Sequence, residues 1–166
     1  MMMISKMERI NRILRHPMFR ECLAKNEAAE TDRIFCKHDM AHFMDVARIG
    51  QIVNFEEAVG LETELIYAAA LVHDIGRHVQ YADGTPHEKA SAVMVPEILA
   101  ECGFNDKETD VIVDAVLHHR DVSVKEERSL RGILYRADKL SRACYACKAE
   151  AMCDWKKDKK NLEIVR

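Results

Sequence analysis

The sequence predicts an all-α fold, a single-domain helical bundle of about seven helices. With 166 residues, the chain has the length of one domain with a sizeable core. Only six glycines and three prolines interrupt it, whereas residues that favour helices, such as Ala, Leu, Glu, Lys, Arg and Met, are plentiful. No segment shows the alternation of apolar and polar residues that is typical of strands.

Apolar residues spaced three or four positions apart predict the first three helices. The first covers residues 4–15, and the second covers residues 17–29, where the proline at its start suits the first turn. The third covers residues 39–58, and Gly60 is expected to close it as a C-terminal cap.

The fourth predicted helix is strongly apolar and ends in a His–Asp pair. Thr63 is expected to cap its N-terminus, and an apolar run then leads directly into His73 and Asp74. The polar residues 77–86, which include an Asp-Gly turn signal, predict a loop.

Three more helices are predicted in the second half of the chain. They cover residues 87–101, 108–119 and 129–144, with a charged loop at 121–127. Pro96 should bend or interrupt the first of them.

We expect these helices to form one structural domain with three parts. Residues 1–35 are N-terminal helices packed on a core of residues 36–145, and residues 146–166 form a Cys- and Lys-rich C-terminal tail.

Composition excludes several classes of partner. The net charge is −3 and the isoelectric point is about 6.2, so we expect no nucleic acid and no membrane as partners. The apolar runs are too short to span a bilayer, and the N-terminal residues lack the features of a signal peptide. We therefore expect a cytoplasmic protein with reduced cysteines; the sequence does not indicate an oligomeric state.

Histidines are the most informative residues. Seven of the eight lie between His38 and His119. Any one of them could be an ordinary core or surface residue. His73 and Asp74, however, follow an apolar helix, and both are costly to bury without partners. A divalent cation would compensate them, because imidazole and carboxylate are good ligands for such ions.

Together, four residues resemble the signature of a known family. His42 stands in H-F-M-D-V-A-R-I, His73 and Asp74 in A-A-A-L-V-H-D-I-G-R, and Asp138 in A-D-K. Over roughly residues 38–142 this ordered set resembles the HD-domain metal-dependent phosphohydrolases. The resemblance implies a helical bundle of the HD-domain type in which the four side chains hold one divalent ion.

Two further histidines resemble those of the binuclear branch, which includes bacterial symmetrical dinucleoside tetraphosphate hydrolases. His87 in T-P-H-E-K-A and His119 in L-H-H-R match its two extra ligands, which implies a second ion with Asp74 as the bridge. Helical spacing favours His119 over His118 as the inward residue. Arg120–Asp121 stands where that hydrolase pattern has a small hydroxyl residue, so the dinucleotide substrate itself is not implied.

The resemblance implies a hydrolase acting on a phosphate ester or anhydride of a nucleotide or similar small phosphorylated metabolite, with one or two ions of Fe, Mn, Mg, Co or Zn. The charged residues beside the ligand positions could bind phosphate, or they could equally be solvated surface charges. We expect catalytic roles for Asp74, His38, Arg77 and Lys139, and substrate binding by Arg77, His118, Lys139 and Arg142. Two alternatives remain open at this point: a di-iron oxygenase of the same domain type, and a non-catalytic module that senses a nucleotide or metal.

The cysteines suggest a second site. Cys144, Cys147 and Cys153 follow one another within ten residues, and Cys36 is the natural fourth because His42 and Asp138 must converge. These thiols could bind a structural zinc ion or an iron–sulfur cluster, or they could be reduced thiols near a helix end. Such a site would fasten the tail to the start of the third helix.

Overall fold

The structure, a computed structural model, describes residues 6–166, in which all regular elements are helices. The α-helices are α1 (Glu8–Arg15), α2 (Pro17–Ala29), α3 (Met40–Glu56), α4 (Thr63–Val72), α5 (Arg77–Asp83), α6 (His87–Cys102), α7 (Asp106–His118) and α8 (Leu130–Leu140). The prediction of an all-α, single-domain bundle is confirmed, with α5 as the one additional helix in this range. Positions 4 and 5 of the first predicted helix lie outside the described residues.

Helix α4 lies at the centre of the bundle. It packs against α3, α7, α1 and α8, while α6 and α8 both pack against α7. Six of its ten residues are buried, including the consecutive run Ala68–Val72. A helix that is apolar on nearly every side is stable only when other helices surround it. The residues that follow α4, His73 and Asp74, are therefore carried into the middle of the protein.

A short helix replaces the loop predicted for residues 77–86. Helix α5 ends at Asp83, and Gly84 follows with φ 84°. The Asp-Gly pair is thus the C-terminal cap of a helix. Glycine serves a tight turn and a helix cap for the same reason, its access to positive φ, so the sequence signal did not distinguish the two.

Four other predicted features differ from the structure. Helix α3 ends at Glu56, so Gly60 lies beyond its cap. Thr63 is the first residue of α4 rather than its cap. Helix α6 continues through Pro96, so the chain is not interrupted there. Helix α8 ends at Leu140. No helix within residues 6–166 is long and apolar enough to cross a membrane.

Gly76 allows the turn after α4 to contact α6. Its N–H donates to Ser91 Oγ at 2.9 Å, and a Cβ at this position would lie 2.5 Å from the Ser91 nitrogen and 2.8 Å from Ala90 Cβ. We expect Gly76→Ala to lower the free energy of unfolding by about 1–3 kcal/mol, measured by urea denaturation, because the added methyl overpacks this contact. The φ of −84° suits alanine, so a variant as stable as the wild type would contradict this account.

Candidate metal centre

The first group of possible ligands joins three helices. His42 lies on α3, His73 and Asp74 follow α4, and Asp138 lies on α8. One ligand atom from each of the four lies within 4.8 Å of the others. His73 Nε2 is 3.2 Å from Asp74 Oδ2, and His42 Nε2 is 3.5 Å from Asp138 Oδ1. This is two imidazoles and two carboxylates around one point, a donor set that suits a divalent transition metal.

A second group shares Asp74. The Nε2 atoms of His87, at the start of α6, and His119, after α7, lie 3.1 and 3.4 Å from Asp74 Oδ1. The other oxygen, Oδ2, is the one that faces His42 and His73. The two oxygens of one carboxylate therefore face two separate pairs of histidines, which is the arrangement of a carboxylate that bridges two ions.

Hydrogen bonds fix the ring orientation of these histidines. In each of the four, Nδ1 faces an acceptor and Nε2 faces the cluster. The acceptors are Ser141 Oγ for His42 (3.3 Å), Ala70 O for His73 (2.7 Å), Gln80 Oε1 for His87 (2.5 Å) and Val116 O for His119 (2.7 Å). An Nδ1–H donated in this way leaves the lone pair of Nε2 available for a metal ion.

The buried atoms of the centre fit a cation. Within residues 6–166, the Nε2 atoms of His42 and His73 and Oδ1 of Asp74 are buried without a hydrogen-bond partner. Burying such atoms unpaired is costly. Burial alone would lower the pKa of His73, but the charges of Asp74 and Asp138 outweigh it and raise that pKa to about 10. Burial likewise opposes ionisation of Asp74, but the neighbouring histidines hold its pKa well below the usual range. Asp74 and Asp138 thus place enough negative charge beside His73 to favour its protonated form, and a divalent cation would balance that charge.

Glu30 is a site residue that sequence reasoning missed. It lies just after α2, is only 2% exposed, and accepts from the His38 backbone N–H at 2.7 Å and from Tyr81 Oη at 2.6 Å. His38 Nδ1 lies 2.5 Å from the same carboxylate, and its Nε2 lies 3.8 Å from Asp74 Oδ2. Asn26, four residues earlier, donates to the Asp74 carbonyl at 2.9 Å. A polar i, i+4 pair on the inner side of α2 was the available signal, but such pairs are usually solvated.

The centre opens into a cavity of about 710 Å³. Its wall includes the predicted residues His38, Arg77, Lys139 and Arg142. His118 is elsewhere: it pairs with Asp114 on the outer side of α7 at 3.2 Å. The cationic residues on the wall are Arg33, Lys37, Arg77, Arg120, Lys139, Arg142 and Lys160.

Comparison with known proteins identifies the family. A model of the HD domain matches residues 40–143. An uncharacterized protein of Clostridium beijerinckii is 44% identical over 158 residues, which is 95% of this chain and 99% of that protein. The crystal structure of a predicted HD superfamily hydrolase from an uncultured Thermotogales bacterium has a TM-score of 0.61 at 23% identity, covers 92% of this chain and 87% of its own, and so shares the fold. The chain belongs to the HD-domain family.

Proposed function

We propose that this protein is a metal-dependent phosphohydrolase that cleaves a phosphate ester or anhydride of a nucleotide or similar small phosphorylated metabolite. The observation that carries the proposal is Asp74, whose two oxygens face separate histidine pairs on the wall of a cavity that also carries cationic and acidic side chains. The cavity volume of about 710 Å³ lies within the ordinary range for small-molecule sites.

Two ions would be held by this chain. The first would bind His42, His73, Asp74 and Asp138, and the second would bind Asp74, His87 and His119. Such a pair of ions supplies Lewis acidity at phosphorus and positive charge for the oxygens on which charge accumulates. The acceptors behind each histidine hold the rings in place for this role.

Cationic side chains would hold the phosphate groups. Arg77 Nη1 lies 2.7 Å from His87 Nδ1. When His87 binds a metal ion through Nε2, its Nδ1 carries a proton and donates it to Gln80. Nδ1 then cannot accept a hydrogen bond from Arg77, so the Arg77 guanidinium is available to the cavity. Arg142 is held 4.4 Å above the ring of Trp155, and Lys139 pairs with Asp138 at 2.5 Å. A planar guanidinium such as that of Arg77 or Arg142 suits bidentate contact with phosphate.

His38 would serve the leaving group. Glu30 holds its Nδ1, which leaves Nε2 on the cavity side near Asp74. With Nδ1 held by Glu30, the His38 ring presents Nε2 where a general acid would give its proton to the departing oxygen.

The adjacent histidines 118 and 119 provide a matched test. Mono-, di- and triphosphate nucleotides and dinucleoside polyphosphates should be supplied with Mn²⁺, Co²⁺ or anaerobic Fe²⁺, and products measured by chromatography and phosphate release. We expect the wild type to turn over at least one of these substrates. His119→Ala should lose one metal ion and at least about tenfold in turnover, whereas His118→Ala should keep normal turnover and metal content. No hydrolysis of any substrate with any metal would overturn the proposal, and substrate-dependent oxygen consumption by the di-iron protein would identify an oxygenase instead.

A further inference from the structure

Four of the six cysteines lie on the wall of one cavity. Cys36 belongs to the segment before α3, and Cys144, Cys147 and Cys153 belong to the tail after α8. The segments are more than a hundred residues apart in sequence, yet they face the same space. The other two cysteines, Cys22 and Cys102, are buried in the hydrophobic core.

The tail that carries three of these thiols has almost no core of its own. Between residues 141 and 166 it forms only short 3₁₀ helices, and Ala149 is its one buried residue. Apolar side chains in the tail remain open to solvent: Met152 is 61% exposed and Ile164 is 73% exposed. Apolar burial therefore contributes little to holding the tail in place.

The surroundings of the thiols suit a negatively charged metal centre. Burial raises the pKa of the Cys36 thiol, and the nearby thiols of Cys144 and Cys147 raise it further, while Arg142 opposes them. Lys160 pairs with Glu150 at 2.8 Å, and this contact is the main cause that raises its pKa, while the nearby thiols of Cys153 and Cys144 raise it slightly further. Arg142 and Lys160 line the same cavity as the four thiols, so cationic side chains are present near thiolate ligands.

The cysteine sulfurs are not gathered as closely as the four ligands of a single zinc ion. Within residues 6–166, no three cysteine sulfurs come within 4.8 Å of one another. A single zinc ion, with bonds of about 2.3 Å to each sulfur, holds its four ligands closer together than this. An iron–sulfur cluster distributes its cysteines over several irons and so requires a wider cage.

We propose that Cys36, Cys144, Cys147 and Cys153 bind an iron–sulfur cluster that fastens the tail to the segment before α3 and completes the wall of the cavity. Each thiol loses its proton on binding an iron, and the irons and sulfides come from ferrous iron, ferric iron and sulfide supplied to the protein, so that the mixed oxidation states of the cluster need no further oxidant. The proposal is independent of the phosphohydrolase activity, because none of the four cysteines belongs to the histidine–carboxylate groups.

Acid-labile sulfide is the decisive measurement, since iron at the histidine centre brings none. The full chain should be purified anaerobically, reconstituted with ferrous and ferric iron and sulfide, and freed of unbound ions. We expect equal amounts of iron and sulfide in a background that carries Asp74→Asn, a change to the carboxylate that both histidine groups share, together with a visible absorption band that dithionite bleaches. Absence of sulfide would overturn the proposal, as would zinc bound in its place.

Cysteine variants locate the cluster. Cys147→Ala and Cys36→Ala should each lose the sulfide and the visible band, whereas Cys102→Ala, the matched control in the core, should keep both. Circular dichroism of each variant verifies that the α-helices are intact. Sulfide retained in both cavity variants would overturn the assignment. If either variant fails to fold, the electron paramagnetic resonance signal of the dithionite-reduced protein in the Asp74→Asn background decides, and its absence would count against the cluster.

Discussion

Asp74→Asn should remove both metal ions at once and lower hydrolysis by at least about a hundredfold, the size of effect that follows loss of one preorganised electrostatic group. The reason is geometric: Oδ2 lies 3.2 Å from His73 Nε2 and Oδ1 lies 3.1 Å from His87 Nε2. An amide presents only one ligating oxygen and no charge, so neither ion keeps its full set of ligands. Metal content by mass spectrometry and turnover with Mn²⁺ test this directly.

Two companion variants make the Asp74 result specific. Asp45→Asn changes an exposed carboxylate on the same cavity wall that belongs to neither ligand group, so it should keep both ions. His87→Ala leaves the first group complete and should keep one. If Asp74→Asn retained two ions per chain, or if Asp45→Asn lost as much metal, Asp74 would not be the bridge.

The sequence predicted the parts of the site that local pattern controls. The apolar run before His73 places that residue and Asp74 in the core, because a helix without a polar face must be surrounded. Helical spacing favoured His119 over His118, and in the structure His119 is 1% exposed while His118 faces Asp114. In both cases the side-chain direction follows from helix geometry and nearby residues.

Other features depend on contacts that a linear pattern does not contain. Glu30 reaches Tyr81 across 51 positions, and nothing in the sequence around it distinguishes it from the exposed glutamates of the preceding helix α2. The acceptors behind the histidines range from a backbone carbonyl three residues away to Ser141, which lies 99 positions from His42. Backbone carbonyls exist at every residue, so their use at one histidine leaves no trace in the sequence.

The network around Glu30 should stabilise the protein strongly, although it lies outside both ligand groups. Glu30→Gln replaces a buried carboxylate, which accepts from the His38 backbone and from Tyr81, with an amide whose NH₂ group cannot accept. We expect the free energy of unfolding to fall by about 3 kcal/mol, since hydrogen bonds to a charged group are the strong ones and their donors would be left unpaired. Tyr81→Phe removes one donor only and should cost about 1 kcal/mol. Urea denaturation of EDTA-treated protein measures both.

The pH dependence separates loss of the Glu30 charge from simple loss of packing. Burial alone would raise the pKa of Glu30, but hydrogen bonds from His38 and Tyr81 outweigh it and lower the pKa from 4.5 to about 2. A lowered carboxyl pKa stabilises the folded state fully above the unfolded-state value, and this contribution disappears as the pH falls toward the folded-state value. The stability difference between wild type and Glu30→Gln should therefore be largest above pH 4.5 and shrink as the pH approaches 2. A difference that stays constant through this window would show that the carboxylate charge contributes nothing and that the glutamine merely packs less well.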